Sequence, residues 1–434
     1  MKVLFLVARG LHLGYLGCYG NDWIETPALD RLAAEGVVFD QHIADQPDAA
    51  GARRAWRTGR YHLPLPDEDM SPPAEPAADL LRLLGDRGIP TALVLSGDGS
   101  GWGDPPTGWK HFRPVPPASK ESCLKVMVDA VLDAIDRLAP HPDWLLCADL
   151  NVLLPPWDVP AEFGDRYFRA EEAAEEDEDE ADAETKEEEP LTPLTDPVTG
   201  PLDDPDDTVF LRLQRSYAGA VTFLDAGLEL LLTKLRESGL LEEALLLVTS
   251  DHGMALGEHG IVGPYRPWLH DELIHLPLIV RLPGGTEAGR RVFALTQPVD
   301  LMPTLLEVFG LPVPVIHGRS LLPLLHGSRE PIRAYACSGL RIGEAVEWAL
   351  RTPEWGFLLP VRPAPHDPPR PPQLYVKPDD RWEVNNVLQH HLELGEHLEQ
   401  VLRGFAEAVR RSGPLEPPAL RDVEAEPAAP SGTV

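Results

Sequence analysis

Ala244-Leu245-Leu246-Leu247-Val248-Thr249-Ser250-Asp251-His252-Gly253 runs seven residues without a charge, then sets an acid, an imidazole and a glycine directly after them. An uncharged run of this kind is a strand covered on both faces, as in a parallel sheet. Val3-Leu4-Phe5-Leu6-Val7 is a second such run and ends at Ala8-Arg9-Gly10. Working outward, Thr26 to Ala34 reads as a short helix with Thr26 as N-cap and Pro27 in its first turn. Gly36 ends it, and Val37-Val38-Phe39 begins an extended piece. Ala78–Leu84 is helical, Thr91–Leu95 is a strand, and Trp144–Cys147 is a short apolar run. From Tyr217, residues Val221, Leu224, Leu228, Leu231 and Leu235 recur at helical spacing up to Gly239. Leu276–Leu282 is another strand and Asp300–Phe309 another helix. The alternation predicts an α/β fold on a mostly parallel sheet. Ligands in such sheets lie beyond the carboxyl ends of strands, where Asp251-His252 and Arg9-Gly10 both fall.

The chain has 434 residues, 43% hydrophobic and 25% charged, a length for two or three domain-sized units or for one large α/β domain with an appendage. Cys18, Cys123, Cys147 and Cys337 are widely spaced and form no C-x-x-C pair, as expected of reduced, packed thiols. No stretch approaches the roughly 20 apolar residues of a membrane span. The first apolar run stops at Ala8-Arg9, shorter than a secretory core of about 7–15 residues, so a buried first strand and a cytoplasmic location are expected. The net charge of −32 argues against nucleic acid and anionic membranes as partners. Between Glu171 and Asp207 stand 18 acids and one lysine, so this segment carries about half of that charge. Residues 171–207 are expected to be a solvated, disordered insertion, with recruitment of a basic partner as the alternative. Residues 1–359 read as the large domain. A Pro-rich connection then leads to a small module over 373–410, with a helix near Leu392–Ala408, and 414–434 reads as a disordered tail.

Leu16-Gly17-Cys18-Tyr19-Gly20 followed by Thr26-Pro27-Ala28-Leu29-Asp30-Arg31-Leu32 resembles the sulfatase family of the alkaline-phosphatase-like superfamily. Thr58-Gly59-Arg60-Tyr61, Tyr217-Ala218, Thr249 to Gly253, Leu256-Gly257-Glu258-His259-Gly260, Leu276-Pro277-Leu278, Val299 to Leu305 and Gly318 to Leu325 follow in family order. Leu374-Tyr375, Glu383 and Asn385-Asn386 resemble its C-terminal subdomain. The resemblance implies a large, mostly parallel central sheet flanked by helices, with a small C-terminal α+β subdomain. It also implies sulfate-ester hydrolysis by a formylglycine made from cysteine, a divalent cation held by carboxylates, and cationic side chains around the sulfate.

Position by position, that machinery is largely replaced. Where the family carries two metal-binding aspartates after strand one, this chain has Arg9 and Gly10. The nucleophile position holds Ala49, the motif proline is Gly51, and only Arg53 of C-x-P-x-R remains. Ser96 and Asp98 stand for a lysine and a histidine, Leu154 for the middle histidine, and Pro264 for the last lysine. Asp251 and His252 keep the second metal pair. Two roles are open to Arg9: its guanidinium occupies the cation's place and pairs with Asp251, or it points to solvent. Asp48 is either a turn former or a compensating nucleophile in a shifted register. Asp251 and His252 are either vestigial ligands or structural, and Glu258 and His259 read as solvated loop residues.

The expectation is a sulfatase-like pseudoenzyme without cofactor, whose ligand or protein partner the sequence does not name. Calcium or another divalent cation enters only if the site is rebuilt, giving a hydrolase of sulfate or phosphate esters. A third alternative is an acidic interaction module.

Overall fold

The computed structural model describes residues 1–66, 78–97, 107–115, 123–168, 191–202, 207–264, 266–365, 368–411 and 413–421. The uncharged run at the N-terminus forms β1 (Lys2–Ala8), whose side chains alternate between two cores. Leu4, Leu6 and Ala8 pack on one side with α1 (Pro27–Ala34), and Val3, Phe5 and Val7 on the other. The remaining strands of the large sheet are β2 (Val37–Ile43), β3 (Thr91–Ser96), β4 (His111–Val115), β5 (Trp144–Leu150), β7 (Ala244–Thr249), β9 (His275–Arg281) and β10 (Arg290–Val292). Gly200–Pro201 (β6) and Ile261–Val262 (β8) form a separate two-stranded ribbon. The large sheet has the order β10-β2-β9-β7-β1-β5-β3-β4, and β9 alone is antiparallel to its neighbours.

Helices α2 (Ala49–Thr58), α3 (Leu80–Gly85) and α6 (Leu301–Val308) cover the face of Val3, Phe5 and Val7. The opposite face is covered by α1 with α4 (Cys123–Leu138) and α5 (Asp207–Glu237). Thr26 holds the N-cap position of α1, but its hydroxyl makes no cap bond. The Asp225 carboxylate of α5 accepts instead from the Ala28 and Leu29 amides, both at 2.9 Å, and ties two helices together. Helix α5 starts at Asp207, ten residues ahead of the apolar repeat at Tyr217, so the acidic stretch ends as helix. Residues 191–202 are also ordered: Leu194 and Leu202 pack on the core, and the Trp157 amide donates to the Thr195 carbonyl at 2.6 Å. The rest of the expected insertion, 171–190 and 203–206, lies outside the described residues.

A second sheet is wholly antiparallel: β11 (Ala336–Ile342), β12 (Ala345–Arg351), β13 (Trp355–Arg362) and β14 (Gln373–Val376), in that order. Helix α7 (Leu392–Ala408) covers it with Leu398, Val401, Leu402 and Phe405. The small subdomain therefore begins at Ala336, and a boundary after residue 359 cuts through its third strand. Its strands escaped the sequence because β12 is buried along its whole length, charged Glu347 and Arg351 included, so no alternation is visible. The tail expected to be disordered is also partly placed. Leu415 and Leu420 pack on this core and Tyr335 Oη donates to the Pro418 carbonyl at 2.8 Å, while 422–434 lie outside the described residues.

His42 on β2 is fully buried, with Nδ1 2.9 Å from Thr296 Oγ1. Burial, helped by Arg333 and His275, pushes its pKa down to about 3. The unfolded chain protonates near 6.5, so the stability His42 contributes is complete above that pH and falls as pH drops toward 3. The slope is of order 1 kcal/mol per pH unit for one proton. Urea unfolding between pH 7 and 4 is expected to show a shallower loss in His42→Gln than in the native chain; equal slopes would contradict it.

Candidate functional site

Three adjacent strands, β7, β1 and β5, end side by side, and their carboxyl ends carry the site. The parallel register sets Asp149 of β5 beside Val7 of β1, and Thr249 of β7 on the other flank. Arg9 follows β1 and Asp251 follows β7. Helix α2 approaches the same edge with Arg53, one turn beyond Ala49 and on the same side of the helix.

The four ionic side chains form one buried network. Arg9 Nε lies 3.3 Å from Asp251 Oδ2 and 4.0 Å from Asp149 Oδ1. Arg53 Nη2 pairs closely with Asp149 Oδ2 and lies 3.9 Å from Asp251 Oδ2. Asp149 and Asp251 are 0% exposed, Arg9 7% and Arg53 6%, so two cations and two anions neutralise each other away from water. Burial pushes Asp251 up, but His252, Arg53, Arg9 and the Gly10 amide together hold it below the ordinary carboxylate range. Asp149 stays raised, because burial and the nearby Asp251 outweigh Arg53 and Arg9.

The backbone around Arg9 is fixed on all sides. Tyr217 Oη donates to the Gly10 carbonyl at 2.6 Å and accepts from the His12 amide at 2.9 Å. The Leu11 amide donates to Ser250 Oγ at 3.1 Å, and the His252 amide to Asp251 Oδ1 at 2.9 Å. His252 borders the network, with Nε2 3.6 Å from Asp251 Oδ1 and Nδ1 2.6 Å from the Gly253 carbonyl. Gly10 has φ +73°, and a Cβ there would stand 2.7 Å from Leu154 Cδ2. The leucine at the middle-histidine position thus occupies the space a side chain at position 10 would need. Gly10→Ala is expected to lose about 1–3 kcal/mol through left-handed strain and contact with Leu154, and Leu154→Ala in the same chain to return only the contact part. Urea unfolding measures both; a Gly10→Ala chain as stable as the native one would contradict the packing described.

At the nucleophile position, Ala49 is the first residue of α2 and Asp48 is its N-cap. Asp48 Oδ1 accepts from the Gly51 amide at 2.8 Å and Oδ2 from Gln46 Nε2 at 2.7 Å. A Cβ on Gly51 would lie 2.5 Å from Gln46 Cδ, so this glycine admits the Gln46 side chain over the helix end. Ser96 ends β3, Pro264 is exposed on its loop, and Asp98 lies outside the described residues.

Glu258 and His259 are not the solvated residues their loop position suggests. Glu258 accepts from the Leu256 amide at 2.8 Å and faces His12 Nε2 at 3.4 Å. His259 Nδ1 lies 2.8 Å from Glu272 Oε1. Asp149 is the site residue the sequence analysis missed. Its signal was present: a lone carboxylate in the otherwise apolar Trp144-Leu145-Leu146-Cys147-Ala148-Asp149-Leu150 demands a buried partner.

A mostly parallel sheet whose strand ends carry an Asp-His pair, joined to a small antiparallel sheet, defines the alkaline-phosphatase-like class. The sulfatase family model matches residues 2–311, and the chain belongs to the sulfatase family. Mouse steryl-sulfatase is 28% identical over 417 residues, covering 75% of this chain and 65% of the mouse protein, just short of two thirds. An N-acetylglucosamine-6-O-sulfatase of Bacteroides thetaiotaomicron is 24% identical over 400 residues, covering 75% of this chain and 70% of that one. Among solved structures, the phosphonate monoester hydrolase of Agrobacterium radiobacter superposes with a TM-score of 0.72 at 20% identity, over 93% of this chain and 95% of its own. That likeness is one of fold. Among the described residues, no helix is long and apolar enough to cross a membrane.

Sulfatases typically use a divalent metal, calcium, and the residues at this edge do not fit one. A hard cation takes about six to eight oxygen ligands. Here Gly10 offers no side-chain oxygen, Leu154 presents a methyl group, and the carboxylates of Asp149 and Asp251 face guanidinium groups.

Proposed function

We propose that this chain is a sulfatase-family protein without sulfatase chemistry, in which the Arg9 guanidinium takes the place of the catalytic cation. The observation that carries the proposal is Arg9 Nε at 3.3 Å from the fully buried Asp251, within a neutral network that Asp149 and Arg53 complete. Ala49 supplies no nucleophile. Asp48, the residue in reach that would replace it in a rebuilt hydrolase, is engaged through both carboxylate oxygens at the start of α2. Losing one such group lowers rates by about 10²–10³, and losses that act together remove the mechanism. The scaffold then serves to bind a ligand or partner rather than to turn over an ester.

The test is turnover of 4-nitrophenyl sulfate, 4-nitrophenyl phosphate and a phosphonate monoester by the purified chain with calcium, magnesium or manganese. No release of nitrophenol above the protein-free blank is expected with any ester or metal. Metal-dependent turnover that disappears in Asp251→Asn would overturn the proposal and restore the hydrolase alternative.

A further inference from the structure

The segments on either side of β8 carry a second cluster, separate from the strand-end site: His259 stands just before β8, and His270 and Glu272 between β8 and β9. His259, His270 and Glu272 offer one donor atom each within 4.8 Å of one another. His270 is 1% exposed, and its Nδ1 lies 2.7 Å from Glu383 Oε2. With Glu383 as carboxylate, that bond places an N–H on Nδ1, so that in the neutral ring Nε2 carries the lone pair. Nε2 is buried and, among the described residues, meets no hydrogen-bond donor. A buried imidazole lone pair, oriented by a carboxylate behind it, is the arrangement that prepares a histidine for a metal. Glu383 is itself firmly held: Arg351 pairs with its Oε1, Lys377 Nζ lies 3.0 Å from the same oxygen, and its φ is +54°. A non-glycine residue in the left-handed region, buried and locked by two cations, fixes the orientation of His270 tightly.

We infer that His259, His270 and Glu272 form a binding site for a zinc-class dication, with Glu383 orienting His270 from behind. Two imidazoles and one carboxylate are a borderline-soft donor set suited to zinc, and water completes a tetrahedron. Loading requires one local change. The two rings stack with centroids 3.8 Å apart and planes 22° from parallel, whereas a metal bonds in the plane of each ring. The His259 ring, the more exposed of the two, therefore leaves the stack and the Glu383 carbonyl 3.4 Å from its Nε2, gives up a proton to solvent, and Glu272 exchanges its hydrogen bond to His259 for the ion. Donors then close to the separation of about 3.4 Å that zinc–nitrogen bonds of about 2.0–2.1 Å impose.

The experiment uses the full chain, stripped with a chelator, dialysed and titrated with zinc chloride in a calorimeter. Metal content after desalting is measured in parallel. One equivalent of zinc is expected, with affinity at least about tenfold weaker in His270→Gln and in His259→Gln. His252→Gln should bind as the native chain does, which separates this site from the strand-end pair. Circular dichroism reports whether each variant is folded, and His259→Gln decides the matter if His270→Gln is not. The inference fails if the native chain retains no zinc, if folded His259→Gln retains it with native affinity, or if His252→Gln abolishes it. None of these outcomes depends on whether the strand-end site is catalytic.

Discussion

Replacing Arg9 with methionine is expected to lower the unfolding free energy by about 3–5 kcal/mol, the usual result of removing one partner from a buried ionic group. The reason lies in the local charge. The native network holds two guanidinium groups against two carboxylates, and Arg9 is the cation nearer to Asp251. Without it, Arg53 must serve two anions that water does not reach, and its closest pairing is already with Asp149. Asp251, now held below the ordinary carboxylate range with help from Arg9, would move upward. Neutralising the stranded acid should return much of the loss, so Arg9→Met with Asp251→Asn is expected to be more stable than the sum of the single changes predicts. Urea unfolding of the four chains gives the coupling directly, and about 1–3 kcal/mol is expected for residues in one buried network. Additive single changes, or an Arg9→Met chain within about 0.5 kcal/mol of native, would show that Arg9 is not engaged as described.

The second large effect is expected from Arg9→Asp. That change turns a neutral network into one with three carboxylates and one guanidinium, an excess of two negative charges in a dry pocket. Such a chain should be severely destabilised in metal-free buffer. A dication would cancel the excess, and carboxylate oxygens are what a hard cation binds. Millimolar calcium is therefore expected to raise the melting temperature of Arg9→Asp by several degrees and to leave the native chain unmoved, through binding to the folded state alone. Native and variant chains responding alike to calcium would mean that the guanidinium does not stand where a cation would. If Arg9→Asp is too unstable to purify, refolding it from urea with and without calcium gives the same comparison.

How much of this could be read beforehand depended on whether a partner was needed to see it. Strands β1 and β7 were legible because both faces are covered, which strips them of charge. Arg9, Gly10, Ala49, Arg53, Asp251 and His252 were legible because each stands at a fixed offset from a motif. Asp149 was not, since its role rests on β5 lying next to β1, and strand order is a property of the folded sheet. The antiparallel hairpins from Ala336 to Arg362 were missed for a related reason: Glu347 and Arg351 point inward, where Arg370 and Glu383 meet them. Leu154 was legible as a substitution, but its contact with Gly10 was not, because 144 residues separate them. The start of α5 at Asp207 was hidden because Asp203-Asp204-Pro205-Asp206-Asp207 carries the acidic, low-complexity composition up to its first residue.

The most direct test of the central claim is a crystal structure of the native chain grown with millimolar manganese, using anomalous scattering to locate the ion. The account predicts guanidinium density for Arg9 beside Asp251 and no anomalous peak between Asp149, Asp251 and residue 9. A manganese peak in bonding contact with the Asp251 carboxylate, with Arg9 displaced from it, would contradict the account.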